Sequence, residues 1–360
     1  RFSNSPHGVT RVSHGEESAD DSSHAAARHV VRTESFLLQH FQNANARKAP
    51  SGSAGESKAP CMRLLHTDGS VSHIVFRTKQ IFSATQDLLF VGRMTLMNLS
   101  QTVCGVAFQN PTVLASGIMG VTASSWRFAA QSGAGAITTK SIWPFAHAGH
   151  RNPTIISTDH WTLNAVGLPD AGIEKAREEI LDYLGNKPVP LIANIVADTV
   201  ENFAKSAENI AGLNPDLLEV NISCPNVESE LGKPFACSAV DAARVTNAVK
   251  AVAGTLPVFI KLSPNVDNIA SIAVACAREG ADGFTLINTV GPGMAIDLRS
   301  RMPILANKVG GLSGPGIKPL AVKLIADVYA ATSGKLPIIG LGGVYTGEDA
   351  LELMLAGASL

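Results

Sequence analysis

"PLIANIVADTVENFAKSAENIAGLNPDLLEVNIS", residues 190–223, contains one unit of the fold. Two apolar runs, 190–197 and 217–223, flank a stretch whose apolar positions recur at three and four and which closes on Gly212. This reads as strand, helix, strand. Neither run alternates apolar with polar residues, as a strand with one wet face would. A strand that is apolar throughout belongs in a parallel sheet covered on both sides by helices.

Working outward, the same unit recurs. Strands are predicted at "TVLAS" (112–116), "AITTK" (136–140), "PVFIKLS" (257–263), "GFTLINT" (283–289) and "PIIGLGG" (337–343), besides the two above. Helices are predicted at 172–185, 199–212, 239–254, 268–280 and 317–334, most of them ending on Gly. Seven strand–helix units in series predict an α/β fold of the (β/α)₈ TIM-barrel kind rather than an open sheet. An eighth strand is expected after "GEDALELMLAGA" (347–358), and the chain stops at Leu360, where that strand would begin. With no initiator methionine at its start, the sequence reads as cut at both ends.

The barrel domain is expected over 94–360. Residues 1–60 are rich in Ser, His, Ala, Arg and Asn, and "NARKAPSGSAGESKAP" (45–60) reads as linker. Too little apolar surface is present there to offset chain entropy, so disorder is expected. Residues 61–93 contain short strand-like runs, "SHIVFR" and "DLLFVG", with no assigned place. Everything before Met94 is expected to be dispensable for folding.

The chain has 360 residues and a formal charge of −1. A balance so near zero supports neither nucleic-acid binding nor a polybasic membrane anchor. No apolar run approaches the roughly 18 residues of a membrane helix, and the start has no apolar signal core. The five cysteines, Cys61, Cys104, Cys224, Cys237 and Cys276, form no CxxC, so neither a zinc ribbon nor an iron–sulfur site is expected. Reduced thiols in a cytoplasmic protein are the expectation.

In such a barrel the chemistry sits at the carboxyl ends of the strands. Those ends carry Ser116, Lys140, Asn194, Asn221 with Cys224, Lys261, Asn288 with Thr289, and Gly342 with Gly343. Lys140 and Lys261 each follow an apolar run. A buried lysine needs a negative partner, either a neighbouring carboxylate or a bound anion; a Schiff-base role would account for only one of the two. Asn164, Asn221, Asn226 and Asn288 each offer two donors and one acceptor. Such amides suit a flat ring of alternating N–H and C=O groups, such as a pyrimidine, or a carboxylate. The glycine loops "GGLSGPGIKP" (310–319) and "IIGLGGV" (338–344) lead towards helices and suit a phosphate. His147 and His150, in "SIWPFAHAGHRNPTI" (141–155), are read as solvated loop residues with no metal between them.

Taken together, "NISCPNV", "FIKLSPNV", "LINTV", "PILANKVGGLSGPGIKP" and "PIIGLGGV" resemble class 1 dihydroorotate dehydrogenase, and "ILAN…GGLSGP" is similar to its NAD-linked 1B subclass. The resemblance runs from about residue 98 to the end. It implies an FMN enzyme of pyrimidine biosynthesis that oxidises dihydroorotate to orotate, passing hydride to the flavin and a proton to a base. By motif, Cys224 would be that base. A free thiol titrates at about 8.5, so its thiolate forms at modest cost. Lys140, Asn164, Ala165, Val166, Gly167, Leu168, Asn221, Asn226, Asn288 and Thr289 would contact substrate. Ser116, Lys140, Ser141, Asn194, Asn221, Lys261, Ile287, Gly314, Gly342 and Gly343 would contact FMN, with Lys261 beside the N1–C2=O edge. Residues 224–239 would form a loop over the site. The remaining cysteines of the barrel would be structural. The subclass implies a separate iron–sulfur flavoprotein subunit for electron transfer, and a homodimeric core is the default. Family members carry a further strand and a Gly-Thr pair that this sequence lacks. The rival readings are a dihydropyrimidine dehydrogenase-like flavoenzyme and a non-catalytic truncated barrel.

Overall fold

In a computed structural model the described residues are 98–223 and 234–360, within a compact unit spanning Leu96–Leu360. The stretches expected at 1–60 and 61–93, together with Cys61, Met94, Cys224 and Asn226, lie outside the described residues.

Seven parallel strands form one sheet: β1 (Val113–Leu114), β2 (Ala136–Thr138), β3 (Leu191–Ile195), β4 (Leu217–Asn221), β5 (Val258–Lys261), β6 (Gly283–Leu286) and β7 (Ile338–Gly340). Their order across the sheet is their order in the chain, so each connection is a single βα step to the adjacent strand. The helices are α1 (Ala123–Gln131), α2 (Ile173–Gly185), α3 (Val200–Ala211), α4 (Ala239–Val252), α5 (Ile269–Arg278), α6 (Lys318–Ala331) and α7 (Gly347–Leu355). The sheet is nearly closed, as in a (β/α)₈ barrel. Along the outer edge of β7 the last residues already pair as a further strand would: Ser359 N–H donates to Ile338 O (2.7 Å), and Gly340 N–H to Leu360 O (2.8 Å).

Local chemistry fixes where the helices start. The side chains of Thr199, Ser238 and Asn268 accept from the N–H groups of Asn202, Asp241 and Ser271 and so cap α3, α4 and α5. Thr346 and Asp349 form a reciprocal capping box at α7.

Side chains alternate between the two faces of each strand. On β3, Leu191, Ala193 and Ile195 face outward and pack with Tyr183, Phe203 and Ile210 of the helices. Leu218, Val220, Val258 and Ile260 do the same. The inward residues near the strand starts, Ala136, Ile192, Leu217, Phe259 and Ile339, form a separate apolar cluster. Its floor comes from an antiparallel hairpin, Gln101–Val103 with Val106–Phe108, whose Val103 and Phe108 join that cluster. Two residues further along the same inward face stand Asn194, Glu219, Lys261 and Thr285, all buried. The interior is therefore apolar at one mouth and polar at the other. That polarity, more than the strand count, is what positions a site.

A second, antiparallel sheet joins Val290–Gly293, Gly310–Ser313, Thr162–Asn164 and Ile155–Ser157 in that order. It draws together loops that follow β2 and β6. The sequence reading had no place for it, for the hairpin at 101–108 or for α1.

Candidate active site

The carboxyl ends of the strands carry two polar clusters. The first is charged. Lys261 on β5 and Glu219 on β4 are 5% and 2% exposed, and Lys261 Nζ donates to Glu219 Oε1 at 3.2 Å. Asn194 on β3 donates from Nδ2 to the same oxygen. The Asn194 backbone N–H is held in turn by Thr139 Oγ1 at 2.9 Å. Of the partners considered for a buried Lys261, a neighbouring carboxylate is what the fold supplies. Glu219 was not among the predicted site residues. The signal was present: a charged residue inside an otherwise apolar strand, two positions before Asn221 and so on the same face.

The second cluster consists of amides and hydroxyls. Asn221 Nδ2 donates to Ser141 Oγ (3.2 Å), and Asn221 Oδ1 accepts from Ser223 N–H (3.2 Å) and Ser223 Oγ (2.7 Å). Asn288 Nδ2 donates to Ser223 Oγ, and Asn288 Oδ1 accepts from Thr289 N–H at 2.8 Å. Residues from β2, β4 and β6 thus meet at one point. Ser223, also absent from the prediction, is its centre, and Cys224 is the next residue in the sequence.

Asn164 reaches this mouth through the second sheet, where it pairs with Gly311. The following stretch is shaped by backbone: Ala165 N–H donates to Thr154 O (2.7 Å), Val166 O accepts from His150 N–H (3.1 Å), and Gly167 and Leu168 both have positive φ. The histidine reading needs correction. The His150 ring nitrogen lies 3.0 Å from Ala165 O, and the His147 ring stacks on Trp143 at 4.9 Å between centroids. Both residues are half-buried with their rings held against neighbours, rather than freely solvated. Lys140 lines a cavity with Asp170, Trp126 and Glu179. Burial pushes the Asp170 carboxyl up, against the N–H groups of Gly172 and Trp143 and the positive charge of Lys140. Ser116, half-buried, ends the β1 segment.

The two glycine loops converge. A Cβ on Gly343 (φ +77°) would lie 2.7 Å from Lys318 Cβ and 3.1 Å from Gly314 O; one on Gly342 would lie 2.8 Å from Ala321 Cβ and 3.3 Å from Ile287 Cγ1. Only glycine lets these loops close on the start of α6, which has no side-chain cap. Gly343→Ala is expected to destabilise the chain by about 1–3 kcal/mol through its left-handed backbone. Urea unfolding checks this, and an unchanged midpoint would contradict it.

The remaining barrel cysteines are not alike. Cys276 is buried in α5, and burial pushes its thiol up to about 11. Cys104 and Cys237 are exposed, and Cys104 Sγ donates to Asp282 O at 3.7 Å. Iodoacetamide at pH 8 is expected to leave Cys276 unmodified in the native protein, as read by peptide mapping; rapid labelling there would contradict this. Among the described residues no helix is long and apolar enough to cross a membrane.

The family profile described as Dihydroorotate dehydrogenase matches residues 98–360. The chain is 46% identical over 267 residues to dihydroorotate dehydrogenase B (NAD(+)), catalytic subunit, of Methanocaldococcus jannaschii, covering 72% of this chain and 84% of that protein. The proteins of the same name from Methanosarcina acetivorans and Geobacillus kaustophilus are 45% and 44% identical over 256 residues, each covering 71% of this chain and 81% and 80% of theirs. A parallel barrel whose polar mouth gathers Asn221, Ser223, Asn288 and Lys261, and these likenesses along its whole described length, lead to one conclusion: the chain belongs to the dihydroorotate dehydrogenase family, on the side of its NAD-linked catalytic subunits.

Proposed function

We propose that this chain is the catalytic subunit of an NAD-linked dihydroorotate dehydrogenase, a flavoenzyme of pyrimidine biosynthesis that oxidises a CH–CH bond of dihydroorotate to give orotate. The observation that carries this is the amide–hydroxyl cluster of Asn221, Ser223 and Asn288, which leads directly into Cys224.

FMN is the flavin we assign. The fit is supported by two buried oxygens with no hydrogen-bond partner among the described residues, Asn194 Oδ1 and Thr285 Oγ1, both facing into the polar half of the barrel. It is supported again by the cradle at Gly314, Gly342 and Gly343, whose backbone N–H groups beside α6 suit a phosphate. When bound, FMN supplies a two-electron acceptor for the hydride from dihydroorotate C6.

The chain's own residues do the rest. Asn164, Asn221, Asn226, Asn288 and Thr289, with the backbone of Ala165 through Leu168, hold the substrate ring and its carboxylate. Cys224 takes the C5 proton. Lys261 would sit beside the flavin's N1–C2=O edge and supply a positive charge there, and Lys140 with Ser141, Ser116 and Ile287 would complete the flavin contacts. A second subunit carrying an iron–sulfur flavoprotein would take the electrons on to NAD, since this chain has no cysteine cluster for that task. A homodimeric core in the cytoplasm is the assembly we assign.

The test is dihydroorotate oxidation by the full-length protein with fumarate, NAD and a quinone offered in turn. Turnover with NAD only after the partner subunit is added is the expected result. Activity on dihydrouracil with none on dihydroorotate would overturn the substrate assignment, and a protein that takes up no FMN would overturn the flavin assignment.

A further inference from the structure

Glu219 is a buried carboxylate that the functional reading does not use. It lies one layer inside the mouth, and a single oxygen of it serves two neighbours: Lys261 Nζ at 3.2 Å and Asn194 Nδ2. A carboxylate can only accept hydrogen bonds, so the end of the Asn194 amide that faces it must be the NH₂. The carbonyl end must then face away. Asn194 Oδ1 is buried and has no partner among the described residues. Burying an acceptor unmet is unfavourable, so a donor is expected there.

We infer that Glu219 is a positioning residue for the flavin, fixing the sense of the Asn194 amide and the place of the Lys261 ammonium so that the pair presents one acceptor and one cationic donor to the cofactor. This rests on the flavin reading above. The chemistry of the ring matches. The pyrimidine part of an oxidised isoalloxazine has one N–H, at N3, flanked by carbonyls. An acceptor of fixed sense meets N3–H, and an ammonium meets the adjacent carbonyl. Asparagine alone could turn either end to the ring. Glu219 removes that freedom before the cofactor arrives, which lowers the ordering cost of binding.

The experiment loads the full chain with FMN carrying ¹⁵N at N3. Exchange of the N3 proton with solvent is followed by NMR, and the FMN dissociation constant by fluorescence. The unaltered chain is expected to protect this proton. Glu219→Gln keeps the shape but can present either a donor or an acceptor to Asn194; exchange should quicken and FMN weaken, each by about tenfold, roughly one hydrogen bond. Glu219→Asp keeps an acceptor-only group and should restore protection towards the unaltered level. Should Glu219→Gln not fold, the double variant Glu219→Leu with Lys261→Met serves. It replaces the whole pair by apolar side chains, which protein interiors tolerate well, and it too should lose protection. An N3 proton equally protected in Glu219→Gln, or in the double variant, overturns the inference, as does fast exchange in the unaltered holoprotein. An unaltered chain that binds no FMN overturns the flavin reading instead, a separate result.

Discussion

Cys224→Ala is expected to slow reduction of the bound flavin by dihydroorotate by about 10²–10⁴-fold, the usual contribution of a positioned general base. Ser223 is fixed by Asn221 on one side and Asn288 on the other, so the strand β4 ends in a rigid polar anchor. The next residue in the sequence is a thiol. A thiol near its titration range is a competent base; a methyl group cannot accept a proton at all. Flavin binding should survive, because none of the residues proposed to hold it, Asn194, Lys261, Gly342 and Gly343, is altered. Cys224→Ser should recover part of the lost rate as pH rises, since a hydroxyl needs a higher pH than a thiol to share its proton. Stopped-flow absorbance of the flavin under anaerobic conditions reads both. Near-normal reduction in Cys224→Ala would remove the residue from the mechanism while leaving the family assignment intact.

The parts of the molecule legible from sequence are those where one physical rule acts without competition. Parallel strands covered by helices are mostly apolar, and the seven predicted runs became β1–β7 in the expected order, with β1 only half-buried. Lys261 was conspicuous because a lysine in such a run demands an explanation. Glu219 is the one charge in "LLEVNIS", but pairing it with Lys261 needs the register between β4 and β5. The second sheet was hidden for another reason. Its strands are three or four residues long, and half of the residues in "VGPG" and "GGLS" are glycine, so no alternation marks them. Their pairing is fixed by close backbone approach: a Cβ on Gly310 would lie 2.4 Å from Asn164 O. The helix α1 was missed although Thr122 caps it and Trp126, Ala129 and Ala130 give it a buried face. The histidines were misread because stacking on Trp143 and a bond to Ala165 O are contacts between loop residues that no spacing rule encodes.

The Lys261–Glu219 pair should behave asymmetrically under mutation, and this is the largest stability effect expected. Lys261→Met leaves a buried carboxylate without its cation, and Glu219→Leu leaves a buried ammonium without its anion. Each single change is expected to cost about 3–5 kcal/mol. The double variant, with neither charge, should return to the stability of the unaltered chain or exceed it, because desolvating two ions cancels most of their attraction. Asn194 adds a qualification: its NH₂ would lose its acceptor in every variant lacking Glu219, which costs about 1–3 kcal/mol if it finds no other. The recovery is therefore expected to be fuller when Asn194→Ala is combined with the pair. Urea unfolding of the flavin-free protein measures all of these, and the coupling follows from the double-mutant cycle. Purely additive single effects would mean the charges do not feel one another, contradicting the 3.2 Å contact. If instead the apolar pair folds well and binds flavin poorly, the ion pair contributes little to holding the barrel together. Its value then lies in how it presents the ammonium and the amide to what the barrel holds.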